Sequence, residues 1–254
     1  MGKVIAISQH KGGIGKTSTC VNLGASLAEM GQRVLLVDID PQAALTQSLG
    51  INPAELSRSI YDALADPDLS LAEIIIPSKI AGLDIVPSNI NLAVADLQFS
   101  GRVGRERMLK KKLAPLKGNY DLILIDCGPT LGLLTINALS AADAVIIPIQ
   151  CELLSLYGLK HLLDTINLVK QEINDDLAIA GYLLTLYDAR TRLSADVAEN
   201  ARKTFGDQVF QTVIRRRSKI AEAPATGSPV TVYASHSDAA EDYRQLAREL
   251  LSRA

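Results

Sequence analysis

Apolar runs of strand length alternate with longer amphipathic stretches along this chain, and that alternation restricts its fold more than any other feature. The runs are KVIAIS, RVLLVDID, GLDIVPS, DLILIDCG, AVIIPIQ, LAIAGYLLTLYD and QVFQTVI. Most are continuously apolar rather than alternating, which marks strands buried on both faces. Between the first two lies TSTCVNLGASLAEMG, in which Val21, Leu23, Leu27 and Met30 recur at helical spacing and Gly31 supplies a stop. Further helix-like segments cover residues 105–116, 132–142, 155–173 and 191–205. This order predicts an α/β three-layer sandwich with a mostly parallel, twisted central sheet flanked by helices. The chain has 254 residues, 48% of them hydrophobic, enough for one large core. With no linker, fixed-period repeat or low-complexity tract, the expectation is a single domain over residues 1–254.

Parallel sheets of this kind bind ligands at the carboxyl ends of their strands. That rule gathers the segments after VIAIS, LLVDID and LILID along one edge. The first of them, SQHKGGIGKTS, joins a strand to a helix and has the character of a phosphate-binding loop, although His10 occupies the slot where such loops usually open with glycine. Gly12, Gly13 and Gly15 let backbone N–H groups turn inward around phosphate oxygens, and the following helix points its positive end at them. Lys11, Gly12, Gly13, Ile14, Gly15, Lys16, Thr17 and Ser18 are therefore the expected nucleotide-binding residues. Lys16 is expected to reach the outer phosphates and the Thr17 hydroxyl to ligate Mg2+. Asp126, closing LILID, is expected to supply the second half of the metal site.

Lys11 is a second lysine at the outer lip of the loop, where water would screen its charge in an isolated chain. It is better used if two copies face each other across their nucleotides, each Lys11 neutralising phosphate on the partner's ATP in water-free surroundings. Dimerisation would then depend on bound ATP.

Other classes are disfavoured. No charged-then-apolar leader precedes KVIAIS, and no run reaches the ~18 apolar residues of a membrane span, so the expectation is a cytoplasmic protein. Cys20, Cys127 and Cys151 lack the paired short spacing of a zinc site and read as buried thiols. A formal net charge of −2 means that any nucleic-acid binding must come from a local patch.

KGGIGKT resembles the deviant Walker A motif of the ParA/MinD ATPases, whose first lysine acts in trans. The likeness continues through LLVDIDPQ, LILIDCGPT, VIIPIQCELLSLYGL, LYDART and IAEAPATGSPV, and is strongest to the small chromosomal ParA (Soj) partition proteins. It implies a P-loop NTPase of the SIMIBI type with ATP and Mg2+ as cofactors. By the same resemblance Lys11, Lys16 and Asp40 are catalytic, with Asp40 orienting the attacking water. Thr17, Asp38 and Asp126 then form the metal set, and Gly12 is the glycine whose enlargement obstructs face-to-face dimers. DCGPT, from Asp126 to Thr130, matches the second switch segment. Asp38 and Asp40 have a plainer alternative as caps of the next helix, and Pro129 as a strand terminator. No glutamate follows Asp126, so slow intrinsic hydrolysis is expected, accelerated by a partner that tightens the site.

Basic residues concentrate in the last third, at Arg190, Arg192, Arg202, Lys203 and the run Arg215, Arg216, Arg217 and Lys219. The expected DNA-binding set is Arg190, Arg192, Arg215, Arg216, Arg217 and Lys219. Arg190 and Lys219 match basic DNA-contacting positions of Soj-like proteins, whereas Arg215 to Arg217 replace a Pro-Arg-Asn common in relatives. That triplet lies near the expected adenine site, so either DNA binding or base recognition is open to it. The resemblance implies a DNA-segregation ATPase: an ATP-bound homodimer on non-specific double-stranded DNA, nucleoid-associated and released by a ParB-like partner. The alternatives are a MinD-like membrane-surface ATPase, another positioning ATPase, and an iron–sulfur reductase component. The first needs a detachable amphipathic C-terminal helix, and the last lacks a second suitably placed cysteine.

Overall fold

The computed structural model describes residues 2–152 and 159–253, and among them eight strands form one sheet. In chain order these are β1 (Lys3–Ile7), β2 (Val34–Asp38), β3 (Ile76–Pro77), β4 (Leu83–Val86), β5 (Leu122–Asp126), β6 (Ala144–Gln150), β7 (Ala178–Tyr187) and β8 (Val209–Arg215). The spatial order is β3-β4-β2-β5-β1-β6-β7-β8. Every pair is parallel except the edge pair β3–β4.

Both faces of the inner strands are covered, as their unbroken apolar character requires. Val4, Ala6, Leu35, Val37, Ile123 and Ile125 face one core, which takes in Leu139 of helix Leu133–Ala141, Leu162 and Ile166 of helix Leu159–Glu172, and Ala198 of helix Arg192–Phe205. Ile5, Ile7, Val34, Leu36, Leu122 and Leu124 face the other, filled by Val21, Leu23 and Leu27 of α1 (Lys16–Glu29) and by the C-terminal helix Asp238–Ser252. The three-layer expectation holds.

Two helix expectations need adjustment. Residues 105–116 are not one helix: a 3-10 turn, the helix Met108–Leu113 and a second 3-10 turn at Ala114–Leu116 divide the segment, with Pro115 unable to continue an α-helical ladder. The segment expected over 155–173 is helical over Leu159–Glu172, and residues 155–158 lie outside the described residues, as does part of the motif VIIPIQCELLSLYGL.

The C-terminal helix bears on one functional alternative. Tyr243, Leu246, Ala247 and Leu250 are buried in the second core, so its apolar face is not available to a bilayer in this state. Among the described residues no helix is long and apolar enough to cross a membrane. Leu246 is fully buried, so Leu246→Ala should lower the unfolding free energy by about 2–5 kcal/mol. The check is a urea titration in which the midpoint falls at unchanged m value.

Candidate active site

Parallel register brings the chemistry to one rim. Ile7 of β1 and Asp38 of β2 both stand opposite Asp126 of β5, so the loop after β1 opens beside two strand-end carboxylates. Gly13 and Gly15 adopt positive φ angles of 72° and 88°, conformations that glycine reaches without strain. Gly15 is the N-cap of α1 and its carbonyl accepts the Thr19 N–H at 2.8 Å. The loop is anchored from across the sheet, where the Thr185 hydroxyl of β7 donates to the Ile14 carbonyl at 2.8 Å.

Lys16 is largely buried, and its Nζ donates to the Lys11 carbonyl at 2.9 Å. Burial lowers its pKa, against the pull of Asp126, Cys127 and Asp40. Asp126 is wholly buried, and among the described residues neither carboxylate oxygen has a hydrogen-bond partner of good geometry. Burial, then the nearby Asp38 charge, raise its pKa well above the usual carboxylate range, while Thr17 and Lys16 pull it down. An isolated buried carboxylate is costly, and this one sits beside a hydroxyl and an ammonium at the N-terminus of a helix. The arrangement fits a divalent cation held between Thr17 and Asp126.

Asp38 is also fully buried but is engaged within the protein. Its Oδ2 accepts from the Thr46 N–H at 2.9 Å and the Thr46 hydroxyl at 2.7 Å, and its Oδ1 accepts from the Asp40 N–H at 3.1 Å. Burial still pushes its pKa up to about 6. Asp40 is different in kind: its Oδ1 accepts from the Gln42 N–H at 3.0 Å, closing a turn, and its side chain lies against Gly128, just beyond the end of β5. A Cβ placed on Gly128 would come within 3.3 Å of the Asp40 carboxyl carbon. The plainer reading of these carboxylates as local caps describes part of what Asp38 does. Asp40 lines the pocket as well.

The pocket over this rim has a volume of about 700 Å³, within the range of small-molecule and cofactor sites. Gly12, Gly13, Gly15, Lys16, Thr17 and Ser18 form its floor, Asp40 and Pro129 one side, and Gln150, Glu152, Leu186, Arg216, Arg217 and Ile220 the other. Leu186 has φ of 52°, a strained backbone for a bulky residue. At the lip, Glu152 joins two basic groups, at 3.8 Å from Lys11 Nζ and 3.0 Å from Arg216.

The basic residues expected to bind DNA divide by position. Arg216 and Arg217 line the pocket. Arg215 is held at 2.7 Å by the buried Asp242. Arg190, Arg192 and Lys219 are outside the pocket lining, with side chains 87%, 94% and 49% exposed, and pair with Asp188, Asp196 and Glu222. Sequence reasoning missed Thr46, Ser88, Gln150, Glu152 and Leu186. Only Ser88, Gln150, Glu152 and Leu186 carried a signal, since each lies at or just beyond the carboxyl end of a strand.

The comparisons with known proteins agree with this geometry. A protein-family model described as an AAA domain (AAA_31) matches residues 2–179. The chain is 50% identical over 250 residues to the sporulation initiation inhibitor protein Soj of Bacillus subtilis, covering 98% of each. The chain belongs to the ParA/MinD family of ATPases. It is also 44% identical over 253 residues to the chromosome partitioning protein ParA of Myxococcus xanthus, covering 100% of this chain and 89% of that one. A solved structure named as cobyrinic acid a,c-diamide synthase of Mycobacterium smegmatis, with a bound ATP analogue and magnesium, superimposes with a TM-score of 0.89 at 39% identity. That match covers 99% of this chain and 94% of that one.

Lys16→Ala should weaken nucleotide binding by at least about 100-fold, the loss of a desolvated charge pairing costing about 3 kcal/mol or more. Titration with a fluorescent ATP analogue measures it, and near-normal affinity would remove Lys16 from the phosphate site.

Proposed function

We propose that this partition ATPase uses ATP and Mg2+ to switch between a free chain and a DNA-bound homodimer. The observation that supports the reading best is the buried Asp126, with no hydrogen-bond partner of good geometry among the described residues, beside Thr17 and Lys16 of a nucleotide-sized pocket whose lining residue Glu152 pairs with Lys11. The loop N–H groups and Lys16 bind the triphosphate, and Thr17 and Asp126 hold the cation, with Asp38 bracing the adjoining loop. Magnesium, when bound, neutralises phosphate charge as it develops. Asp40 accepts a hydrogen bond from the attacking water and turns it toward the terminal phosphate. No glutamate follows Asp126 in the sequence, in keeping with slow intrinsic turnover and with acceleration by a ParB-like partner that tightens the site.

Lys11 sits 3.8 Å from Glu152, with both side chains partly exposed. Such a pair is worth about 0–1 kcal/mol, so a second copy bearing a triphosphate can draw Lys11 away. Two chains facing one another then complete both sites, in line with the role this lysine has in the family. The exposed Arg190, Arg192 and Lys219 pairs are of the same weak sort and yield to DNA phosphates, which a dimer meets with twice the number of cations. Binding of this kind is sequence-blind and salt-sensitive, and suits a cytoplasmic protein that associates with the nucleoid. Arg216 and Arg217 serve the nucleotide pocket, and Arg215 ties β8 to the C-terminal helix.

Asp40→Ala should slow hydrolysis by about 100-fold or more and accumulate an ATP-bound dimer, seen by sedimentation velocity. Wild-type turnover in that variant would exclude Asp40 from water activation. In the same trapped background, Arg190→Glu should leave the dimer intact and make the salt dependence of DNA binding shallower, by about 0.9 in log–log slope for each DNA phosphate that the protein no longer neutralises. Unchanged affinity and slope would place the DNA surface elsewhere.

A further inference from the structure

Asp40 is held by more than its own loop. Its N–H donates to Asp38 Oδ1 at 3.1 Å, and its carbonyl accepts the Ser88 hydroxyl at 2.8 Å. Ser88 follows the end of β4, on the far side of β2 from the nucleotide loop. Its N–H donates to the Thr46 hydroxyl oxygen at 3.0 Å, and that hydroxyl has already given its proton to Asp38 Oδ2 at 2.7 Å. Each hydroxyl donates once, and Thr46 also accepts, so the proton directions around the loop are fixed.

All three side chains of this circuit, Asp38, Thr46 and Ser88, are fully or almost fully shielded from solvent. Networks of this sort, when every member is satisfied, hold one geometry firmly. Both backbone polar groups of Asp40 are thereby pinned from outside its turn, the carbonyl also accepting the Ala43 N–H at 2.9 Å, while among the described residues its Oδ2 has no donor and its carboxylate lies against Gly128 and lines the pocket. We propose that Ser88 and Thr46 are positioning residues for hydrolysis, fixing the Asp40 backbone so that its carboxylate meets the attacking water in line with the phosphate. Neither touches the nucleotide; both act through Asp40, and the proposal rests on the water-orienting role given to Asp40 above.

The test is steady-state ATP hydrolysis by the 254-residue chain, with ATP affinity and melting temperature measured alongside. Ser88→Ala should lower kcat by about tenfold while KM for ATP stays within about twofold, since misplacing a reacting group costs rate more than binding. Thr46→Val should show the same split, and Thr46→Ser, which keeps the hydroxyl, should restore the rate. Asp40→Asn is run in parallel. If Asp40→Asn loses turnover but Ser88→Ala and Thr46→Val keep wild-type kcat, the positioning role is wrong although the reading of Asp40 stands. If Asp40→Asn itself keeps turnover, the reading of Asp40 is what fails. A Ser88→Ala or Thr46→Val protein in which kcat and ATP affinity fall together with the melting temperature would show these residues to be merely structural, and so would Thr46→Ser failing to recover the rate.

Discussion

A carboxylate buried at the end of a parallel strand, with no hydrogen-bond partner of good geometry among the described residues, is the constraint around which this molecule is arranged. Asp126 could be avoided by any sequence that needed only to fold, because a buried unpaired charge subtracts from stability. It persists beside Thr17 and Lys16 at the one place in a parallel sheet where the N-terminus of a helix, a glycine loop and two strand ends converge. The apolar strands are what make this arrangement affordable: cores on both faces of β1, β2 and β5 hold the register in which Ile7, Asp38 and Asp126 stand side by side.

From that centre the site is built outward in layers with different stiffness. Asp38, Thr46 and Ser88 are enclosed and hydrogen-bonded to one another and to the Asp40 backbone, so the base of the loop after β2 is rigid. Lys11, Glu152 and Arg216 at the lip are partly exposed and joined by ion pairs of little individual strength. A nucleotide therefore meets a firm floor and an exchangeable rim. This contrast suits an ATPase that must hold ATP in one geometry while the groups at the lip of its pocket rearrange.

Much of this was legible in the sequence because it depends on local pattern. The run AVIIPIQ is β6 over Ala144–Gln150, and the loop between β1 and α1 lies where its glycines and the Gly-Lys-Thr spacing place it. Segment 105–116 misled because its apolar spacing is helical while Pro115 breaks the backbone ladder. The two-residue strand β3 is too short to leave a periodic signal. The circuit through Ser88 was invisible for another reason: its hydroxyls are 42 residues apart in sequence, and nothing in either neighbourhood encodes the other. Glu152 could be placed near a strand end, but its simultaneous pairing with Lys11 and Arg216 exists only in three dimensions. The basic cluster showed the limit of counting charges, since Arg216 and Arg217 adjoin Lys219 in sequence and yet line the nucleotide pocket.

The central claim is that Asp126 is destabilising alone and becomes useful when a cation arrives. Asp126→Asn against wild type, melted with neither ligand, with ATP alone and with ATP plus Mg2+, tests it most directly. The account predicts that the variant melts at or above the wild-type temperature when ligand-free, because a buried charge has been removed. It further predicts that Mg2+ adds much to ATP stabilisation of the wild type and little to that of the variant. A ligand-free variant that melts well below wild type, together with an undiminished Mg2+ effect, would contradict it.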